Sequence, residues 1–578
     1  MRKGTADSLI RGFLWTALGA QVLAIAVLAW VPPVSRDALT HHLFVPRLYL
    51  EQGGIHEIPA IAFSYYPMNL DLLYLLPLYL GNDILAKYIH FFFALLTCLL
   101  IYRHLHDRVG TNIALLGCVT FLSTPIITKL SVTVYVDLGL IFFTTASLLW
   151  LLTWIDNNFP LRRLVGAGLF CGLAMGTKYN GLVAFVLLTL MVPLLYLRCA
   201  TTKPSSGRAL LFAMIFALAA LTASSPWLIR NYLWTSNPIY PLHNTSIQKI
   251  LGDQPAHMPN LEKKNRQQHS SKSNVFLTRK RLWNETWWQT LLLPLRFFFE
   301  GEDDNPRLFD GKLNPLLLLL PVLLLFLPPK DRKLAREQYI LAAFAFFFFF
   351  YTFFQQVMRI RYISPILPAL VILAMTAVHS LATRLQTSGS FAYRQQFSQL
   401  ALIVPALLIF SYNTTYTYEL YKKIDPLSYI TGKTSRNDYI AAHRSEYPVV
   451  RFINNTLTPR EKVLCLFLGN RGYYMGFTPV FDRLRPGSIL FKDLQSPLTG
   501  EALRKNLETR GIFSVLLRGD LTQQGFAALP GPQKKAFHDF FEQYLEERFS
   551  NGAYTYYTIR QTAKNTTSTG DSRPQPDT

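Results

Sequence analysis

The chain has 578 residues but only five cysteines, and their placement excludes a disulfide-stapled fold. Four of them lie inside or at the end of long apolar stretches: Cys98, Cys118, Cys171 and Cys199. Cys465 is the only cysteine in a clearly polar region, and no CxxC pair occurs. Both a secreted disulfide scaffold and a thiolate metal site are therefore excluded.

The familiar nucleotide and hydrolase motifs are also absent. The sequence has no Walker A pattern, no GxSxG elbow and no GxGxxG after a strand. The histidines at positions 41, 42, 257 and 269 form no HExxH arrangement, so a zinc enzyme has no support. The use of a soluble nucleotide is therefore not expected. If the chain is an enzyme that acts on the outer face of its membrane, where nucleotide sugars are usually absent, its activated donor should be carried by a lipid.

Acidic residues are scarce relative to basic ones, since 35 Asp and Glu face 57 Lys and Arg, which gives a formal net charge of +22. The basic residues are scattered through loops between apolar stretches and form no single stripe. This pattern is typical of membrane topology, and no nucleic-acid partner is predicted.

Long apolar runs indicate a membrane protein. Of all residues, 50% are hydrophobic, and many of them occur in stretches long enough to span a membrane. The first run, Leu14 to Val31, has no small-x-small cleavage site before Pro32 and Pro33, so we interpret it as a retained anchor. We predict about eleven transmembrane helices, centred near residues 22, 93, 119, 144, 171, 188, 218, 320, 346, 373 and 405.

Basic residues in alternate loops predict the orientation. They favour a multi-pass protein of the inner (plasma) membrane with a cytoplasmic N-terminus and an extracytoplasmic C-terminal domain. The predicted transmembrane domain is 1–412, with outer loops 32–83 and 230–312. Residues 413–562 are predicted to form the second domain, and 563–578 a disordered tail.

The C-terminal region has short apolar runs, KVLCLFLG and IFSVLLRG, separated by helical patterns such as EALRKNLETR. Strands alternating with helices predict a small α/β domain. In the first outer loop, the stretch NLDLLYLLPLYLG is too short to span and contains Pro77. We predict that it is an interfacial helix.

Asp37 follows the first span and begins the segment DALTHHLFVPRLYLEQGG. A carboxylate at this surface can act as a general base toward an attacking hydroxyl. The alternative is an N-cap, in which the carboxylate accepts hydrogen bonds from the free N–H groups of the following helix.

Asp137 in SVTVYVDLGLIFF lies a few residues inside a predicted span, where an ionisable group indicates function. Its alternative is an ion pair with a basic neighbour such as Lys178. In GLAMGTKYNGL, Lys178 is a candidate phosphate ligand or a snorkelling surface lysine, and Arg359 and Arg361 in QVMRIRYISPILP invite the same two interpretations.

An acidic cluster precedes a later span, in the sequence EGEDDNPRLFD. Its carboxylates are suitable ligands for a divalent cation, with Asp303 and Asp304 as candidates, although the spacing is not that of an EF-hand loop. A solvated acidic turn is the alternative, and no cofactor is assigned.

Together these segments resemble the GT-C superfamily of integral-membrane glycosyltransferases, in particular the family 39 type of protein O-mannosyltransferases and lipid A aminoarabinose transferases. The resemblance covers residues 10 to 380. It rests on RDALTHHLFVPRLYLEQGG, SYYPMNLDLLYLLPLYLG, YVDLGLIFF, GLAMGTKYNGL, SSPWLIRNYLWTSNPIYPL and RYISPILPAL. Many family 39 enzymes have an Asp-Glu pair in the first outer loop, whereas here Ala38 follows Asp37. This difference indicates an uncharacterised bacterial branch.

The resemblance implies an inverting transfer of a sugar from a polyprenyl-phosphate donor to a cell-envelope acceptor. Asp37 and Asp137 match the family's two acidic positions, and Asp37 would be the general base. The cations expected to hold the donor phosphate are Lys178, Arg230 and Arg361. The side chains expected to line the substrate site are His41, His42, Tyr65, Tyr66 and Tyr179.

Two other functions remain open from the residues alone. A flippase or transporter of lipid-linked sugars would use intramembrane charges to line a route, although repeated halves and broken mid-membrane helices are not evident in the sequence. A glycan polymerase or ligase would share the outer acidic and basic groups but not the Asp37 segment.

Overall fold

The computed structural model describes residues 3–200, 203–243, 275–353, 358–387, 394–485, 487–494 and 498–560. The chain divides into two compact units between Tyr439 and Ile440. The predicted tail 563–578 lies outside the described residues, as do His257, His269 and the middle of the predicted loop 230–312.

The first unit is helical. Its helices are α1 Lys3–Ala29, α2 Phe44–Glu51, α3 Asn69–Leu73, α4 Leu75–Tyr79, α5 Leu85–Val109, α6 Thr111–Ser123, α7 Pro125–Ser131, α8 Asp137–Asp156, α9 Leu161–Met175, α10 Gly181–Cys199, α11 Ser206–Thr235, α12 Val275–Trp283, α13 Trp287–Leu291, α14 Leu293–Phe299, α15 Leu316–Leu323, α16 Arg332–Phe353, α17 Ile360–Ile363, α18 Leu367–Thr387, α19 Arg394–Ile424 and α20 Pro426–Ile430. The short turns Ala62–Tyr65, Pro306–Leu308 and Ser364–Ile366 are 3₁₀ helices, and Ala38–His42 is a π-helix.

Eight helical segments in the described residues are long and apolar enough to cross a membrane. A ninth candidate is the pair α6 and α7, which is bent by 64°. Shorter helices, α9 and α15, lie at the two remaining predicted positions near 171 and 320. The prediction of a polytopic helical membrane protein is therefore confirmed, with short or bent helices at three of its predicted spans.

Close helix packing in this bundle depends on glycine at two positions of α9. A Cβ atom added at Gly168 would lie 2.6 Å from the Phe216 carbonyl oxygen of α11. One added at Gly172 would lie 2.1 Å from the Ala220 carbonyl oxygen. Small residues let membrane helices approach this closely, so these glycines set the distance between α9 and α11.

A partly buried ion network joins three helices at the end of the bundle where α8 finishes. Arg108 of α5 contacts Glu337 of α16 at 2.5 Å and Asp156 of α8 at 3.4 Å. Arg336 also reaches Asp156, at 2.5 Å, and His104 lies 3.3 Å from Glu337. Because the Glu337 side chain is only 1% exposed, these partners are needed to neutralise it.

The helix α19 extends twelve residues past the predicted domain boundary at 412 and ends at Ile424. Asn413 explains this continuity, because it is fully buried and hydrogen-bonds Asn314 at 2.9 Å and Ser123 at 2.8 Å. A polar residue that looks like the start of a soluble region is thus a packed contact of the helical bundle.

The second unit contains a five-stranded sheet with the strand order β2-β1-β3-β5-β4. The strands are β1 Lys462–Leu466, β2 Thr478–Asp482, β3 Ile512–Arg518, β4 Leu545–Asn551 and β5 Tyr554–Ile559. The strand β1 pairs in parallel with β2 and β3, while β5 is antiparallel to both β3 and β4. Helices in this unit include Tyr447–Thr456, Gly500–Thr509, Gly519–Ala527 and Gly531–Tyr544. The predicted α/β class of the C-terminal domain is confirmed.

We expect the substitution Gly172→Ala to lower the melting temperature of the detergent-purified protein, because the added methyl would overlap the α11 backbone. Overpacking of this kind costs about 1–3 kcal/mol. Gly12→Ala in α1 is the matched control, since no described residue lies within 4 Å of its added Cβ. Equal melting temperatures for the two variants would contradict the packing role of Gly172.

Candidate functional site

Two carboxylate–cation pairs form the core of the candidate site. The Asp37 carboxylate lies 2.7 Å from the Arg361 guanidinium, and the Asp137 carboxylate lies 2.7 Å from the Lys178 amine. The fold thus brings together residues that are far apart in sequence. These two pairs contain four of the five residues that we expected to act as catalytic or phosphate-binding groups.

The ring of Tyr362 connects these two pairs. The Arg361 guanidinium lies 5.5 Å from the centre of that ring, and the Lys178 amine lies 5.6 Å from it. Arg361 also stacks on Tyr135, at 5.1 Å. Aromatic faces attract cations, so these tyrosines hold two positive groups near one point despite their mutual repulsion.

The two carboxylates differ in exposure. The side chain of Asp37 is 23% exposed, whereas that of Asp137 is 1% exposed and its Oδ2 atom has no hydrogen-bond partner among the described residues. The Asp37 carboxylate is therefore partly accessible to solvent, whereas the Asp137 carboxylate is enclosed beside Lys178. The ion-pair alternative for Asp137 is what the structure shows, and it is compatible with a role in the site.

Asp37 directly precedes the π-helix Ala38–His42 but makes no capping hydrogen bond with it. Its side chain contacts Arg361 instead, so the N-cap alternative is not what the structure shows. Burial raises the pKa of the Asp37 carboxyl, but the Arg361 guanidinium outweighs that effect and holds the net pKa well below its usual range. Asp37 is therefore ionised at neutral pH.

The π-helix has a wide turn, closed by a hydrogen bond from Leu43 N–H to the Ala38 carbonyl at 2.9 Å. This turn buries two consecutive histidine rings, which lie 4.0 Å apart. His41 stacks on Phe63 at 4.4 Å, and in the part of the chain that the structure describes its Nδ1 atom has no hydrogen-bond partner. Both histidines that were predicted to line the site are thus buried in the π-helix that directly follows Asp37.

His42 contacts Asp71 of α3, a residue that the sequence analysis did not predict to belong to the site. His42 Nδ1 lies 2.7 Å from Asp71 Oδ1, and both side chains are buried. Burial lowers the pKa of His42 and raises that of Asp71, because each charged form loses hydration. The pair therefore favours the state in which both groups are uncharged. The sequence signal was a single acidic residue inside the apolar stretch NLDLLYLLPLYLG.

The glycine-containing break after α9 is joined to the first outer loop. Asn69 donates its backbone N–H to the Gly176 carbonyl at 2.9 Å, and a Cβ atom at Gly176 would lie 2.3 Å from Asn69 Nδ2. This contact places Lys178, two residues later, beside the segment that carries Asp71. A further unpredicted residue, His90 of α5, accepts a hydrogen bond from Leu138 N–H at 3.0 Å and so holds the start of α8.

Arg230 lies in an adjoining aromatic cluster, without a carboxylate partner among its described contacts. It stacks on Trp227 and Trp234 at 4.7 and 4.8 Å and donates to the Tyr66 carbonyl at 3.1 Å. The remaining predicted lining residues belong to the same cluster: Tyr66 contacts Tyr179 at 5.1 Å, Asn231 donates to the Tyr179 hydroxyl, and the Tyr65 hydroxyl donates to Glu57.

The acidic cluster lies beside lysines. Lys129 approaches Asp303 at 3.1 Å, Asp310 at 3.4 Å and Asp304 at 3.7 Å, and Lys423 approaches Asp304 at 2.6 Å. In the part of the chain that the structure describes, no group of three or more His, Cys, Asp or Glu side chains is arranged to hold a metal ion. The side chains of Asp303 and Asp304 are thus balanced by ammonium groups.

Comparison with known proteins gives the class of this fold. The family model described as dolichyl-phosphate-mannose-protein mannosyltransferase matches residues 77–229. The crystal structure of ArnT from Cupriavidus metallidurans bound to undecaprenyl phosphate matches with a TM-score of 0.56 at 14% identity, over 94% of this chain and 98% of that one. The apo structure of the same protein matches with a TM-score of 0.55 at 13% identity, over 94% and 97%. No curated protein sequence matches the chain significantly.

The chain therefore has the fold of ArnT, of the GT-C type, and its residues 77–229 are similar to the mannosyltransferase family named above. It is a multi-pass membrane protein. The expected GT-C type of fold is confirmed.

We expect the His42–Asp71 pair to make little net contribution to the pH dependence of stability between the ordinary pKa values of 3.8 and 6.5. In that range the unfolded chain holds one proton on His42, and the folded chain holds one on Asp71. The numbers of bound protons therefore cancel.

Single substitutions should break this balance in opposite directions. In His42→Asn, Asp71 keeps its raised pKa, so stability should fall as pH rises above about 4. In Asp71→Asn, His42 keeps its lowered pKa, so stability should fall as pH drops below about 6.5, by up to about 1.4 kcal/mol per pH unit. Thermal unfolding at several pH values measures both, and parallel profiles for the two variants would contradict the shared-proton pair.

Proposed function

We propose that the chain is a glycosyltransferase that moves a sugar from a polyprenyl-phosphate-linked donor to a hydroxyl acceptor, with inversion and with Asp37 as the general base. The reaction takes place on the outer face of the plasma membrane. In this proposal the N-terminus is cytoplasmic and the C-terminal domain is extracytoplasmic, as the distribution of basic residues favours.

One observation carries the proposal: a reachable, ionised carboxylate lies next to cations that retain unused hydrogen-bonding atoms. Arg361 Nε and Arg230 Nη1 are both buried and without partners among the described residues. A buried donor without a partner is costly, so these atoms favour an anionic ligand in this region.

The chemistry of an inverting transfer fits this arrangement. Asp37 takes the proton from the acceptor hydroxyl as the hydroxyl oxygen bonds to the anomeric carbon, while the bond from that carbon to the phosphate oxygen breaks. The polyprenyl phosphate departs with the bonding electrons and an additional negative charge. Lys178 and Arg361 stabilise that charge as it develops, and Arg230 extends the positive surface.

Arg361 has a double role in this proposal. While it is paired with Asp37, it lowers the basicity of the carboxylate; when the donor phosphate competes for its guanidinium, that effect weakens. The burial of Asp37, which raises its pKa, then makes it a stronger base. Donor binding would therefore activate the base.

A related structure supports the class of donor. ArnT from Cupriavidus metallidurans, which shares this fold, has been crystallised with undecaprenyl phosphate. Exposed apolar side chains on α16, such as Phe346 and Phe347, offer a surface for a polyprenyl chain or for other membrane lipids. We propose a lipid-linked sugar as the donor and a cell-envelope molecule as the acceptor.

Replacing Asp37 with Asn should reduce transfer from a synthetic polyprenyl-phosphate sugar by about 10²- to 10⁴-fold, the usual contribution of a general base. Donor binding should persist, because the cations remain. Glu51→Gln is the control, since Glu51 lies in the same loop and its exposed side chain pairs only with Arg47 in the described contacts. Retained transfer by Asp37→Asn would remove Asp37 from the mechanism.

Arg361→Gln should raise the KM for the donor and move the acidic limb of the rate–pH profile to higher pH. The shift follows because Asp37 would keep the pKa-raising effect of burial without the opposing guanidinium. Steady-state rates between about pH 4 and 8 would measure this change. A lower rate with an unmoved profile would contradict the coupling of Arg361 to Asp37.

A further inference from the structure

An amphipathic surface lies in the second predicted outer loop, outside the site. Six large apolar side chains of α13, α14 and the residue joining them are exposed, from 45% for Leu292 to 65% for Trp287. We call this set the tryptophan face: Trp287, Trp288, Leu291, Leu292, Leu295 and Phe299. Their spacing follows the helical period, so one side of the segment is apolar and outward-facing.

The opposite side of the same segment packs against the helical unit. Phe297 stacks on Phe309 at 4.3 Å and contacts Phe349 of α16 at 5.6 Å. Arg296 is buried and pairs with Glu285 at 3.2 Å. A capping box between Thr286 and Gln289 fixes the start of α13. The segment is therefore an ordered element, and the exposure of its tryptophans is not an effect of a loose loop.

The contact with Phe349 defines the depth of the segment. Phe349 is four residues from the end of the membrane-spanning helix α16. That helix exposes further aromatic side chains within the same turns, including Phe350 and Tyr351. The tryptophan face thus lies beside a lipid-facing aromatic surface at the end of a span, where tryptophan is enriched in membrane proteins.

Basic side chains flank the tryptophan face. Lys280 and Arg281 at the end of α12 are exposed, whereas the neighbouring Arg279 is buried and paired with Glu285 at 2.6 Å. Two exposed cations next to the apolar tryptophan face are complementary in charge to an anionic phospholipid surface.

We propose that the tryptophan face is a membrane-docking surface that lies at the headgroup boundary of an anionic bilayer, with Lys280 and Arg281 contacting lipid phosphates. The segment is then an interfacial element and not a loop in water. Its inner side reaches the site, because Phe309 accepts a hydrogen bond from Ile360 N–H at 2.8 Å, one residue before Arg361.

The test uses the full chain in lipid nanodiscs that contain phosphatidylglycerol and phosphatidylcholine. A nitroxide is attached to Trp288→Cys in a Cys199→Ser background, since the other four native cysteines are buried. Labels at Leu218→Cys, an exposed position of α11, and at Lys535→Cys, an exposed position of the second unit, are the lipid and water references. Collision rates with oxygen and with a water-soluble nickel chelate are then compared.

The proposal predicts an oxygen-to-nickel collision ratio at position 288 that is well above that at 535 and below that at 218, because position 218 lies near the middle of a spanning helix. A ratio equal to that at 535 would overturn it. Low collision with both reagents, accompanied by dipolar broadening between labels, would also overturn it, in favour of a second copy of the chain.

The basic flank is tested in the same system. The ratio at position 288 should fall when phosphatidylglycerol is omitted, and Lys280→Gln/Arg281→Gln should lose this dependence. Lys534→Gln/Lys535→Gln in the second unit is the charge-matched control and should keep it. If the lipid dependence is absent, or if it survives removal of the two cations, the anionic-lipid assignment is wrong. None of these outcomes depends on whether the chain transfers sugar.

Discussion

The structure of the site depends on the neutralisation of charge in a helical bundle. Asp37 and Asp137 are each held 2.7 Å from a cation, and the two cations share the ring of Tyr362. In the enclosed Asp137–Lys178 pair, removing one partner would leave an uncompensated buried charge, which is strongly destabilising. This requirement fixes the relative positions of the first loop, the start of α8, the break after α9 and the short helix α17. In the proposed reaction, the donor phosphate would therefore compete for cations that are already in place.

The sequence predicted which ionisable residues belong to the site better than it predicted which of them form ion pairs. Ionisable residues at the ends of apolar runs are rare and expensive, and for this reason Asp137, Lys178 and Arg361 stood out. Their pairing was foreseen only for Asp137 and Lys178. That Arg361 contacts Asp37 follows from packing between segments more than 300 residues apart, for which local patterns carry no information.

Other features of the structure were not predicted because the local sequence pattern around them is typical of a different structure. Asp71 lies in a leucine-rich stretch predicted to be an interfacial helix, and its buried partner His42 belongs to the π-helix Ala38–His42, which the sequence did not predict. Polar residues after position 412 were assigned to a separate domain, yet Asn413 is buried inside the bundle. In the sheet, the strands β1 and β3 correspond to evident apolar runs. The β4–β5 hairpin follows a helical pattern and is marked only by Asn551 and Gly552, where Gly552 has φ +58°.

The ion network of His104, Arg108, Asp156, Arg336 and Glu337 has a mechanical consequence. It fastens one end of α8 to its neighbours, whereas Asp137 lies at the other end, about 30 Å away for twenty residues at 1.5 Å each. A rod fixed at one end can tilt but cannot slide along its axis. The start of α8 is held by Lys178 at Asp137 and by His90 at Leu138. If a ligand loosened the Asp137–Lys178 contact, any movement of that end would be a tilt, and a shift of a few ångströms there requires a rotation of only a few degrees about the fixed point.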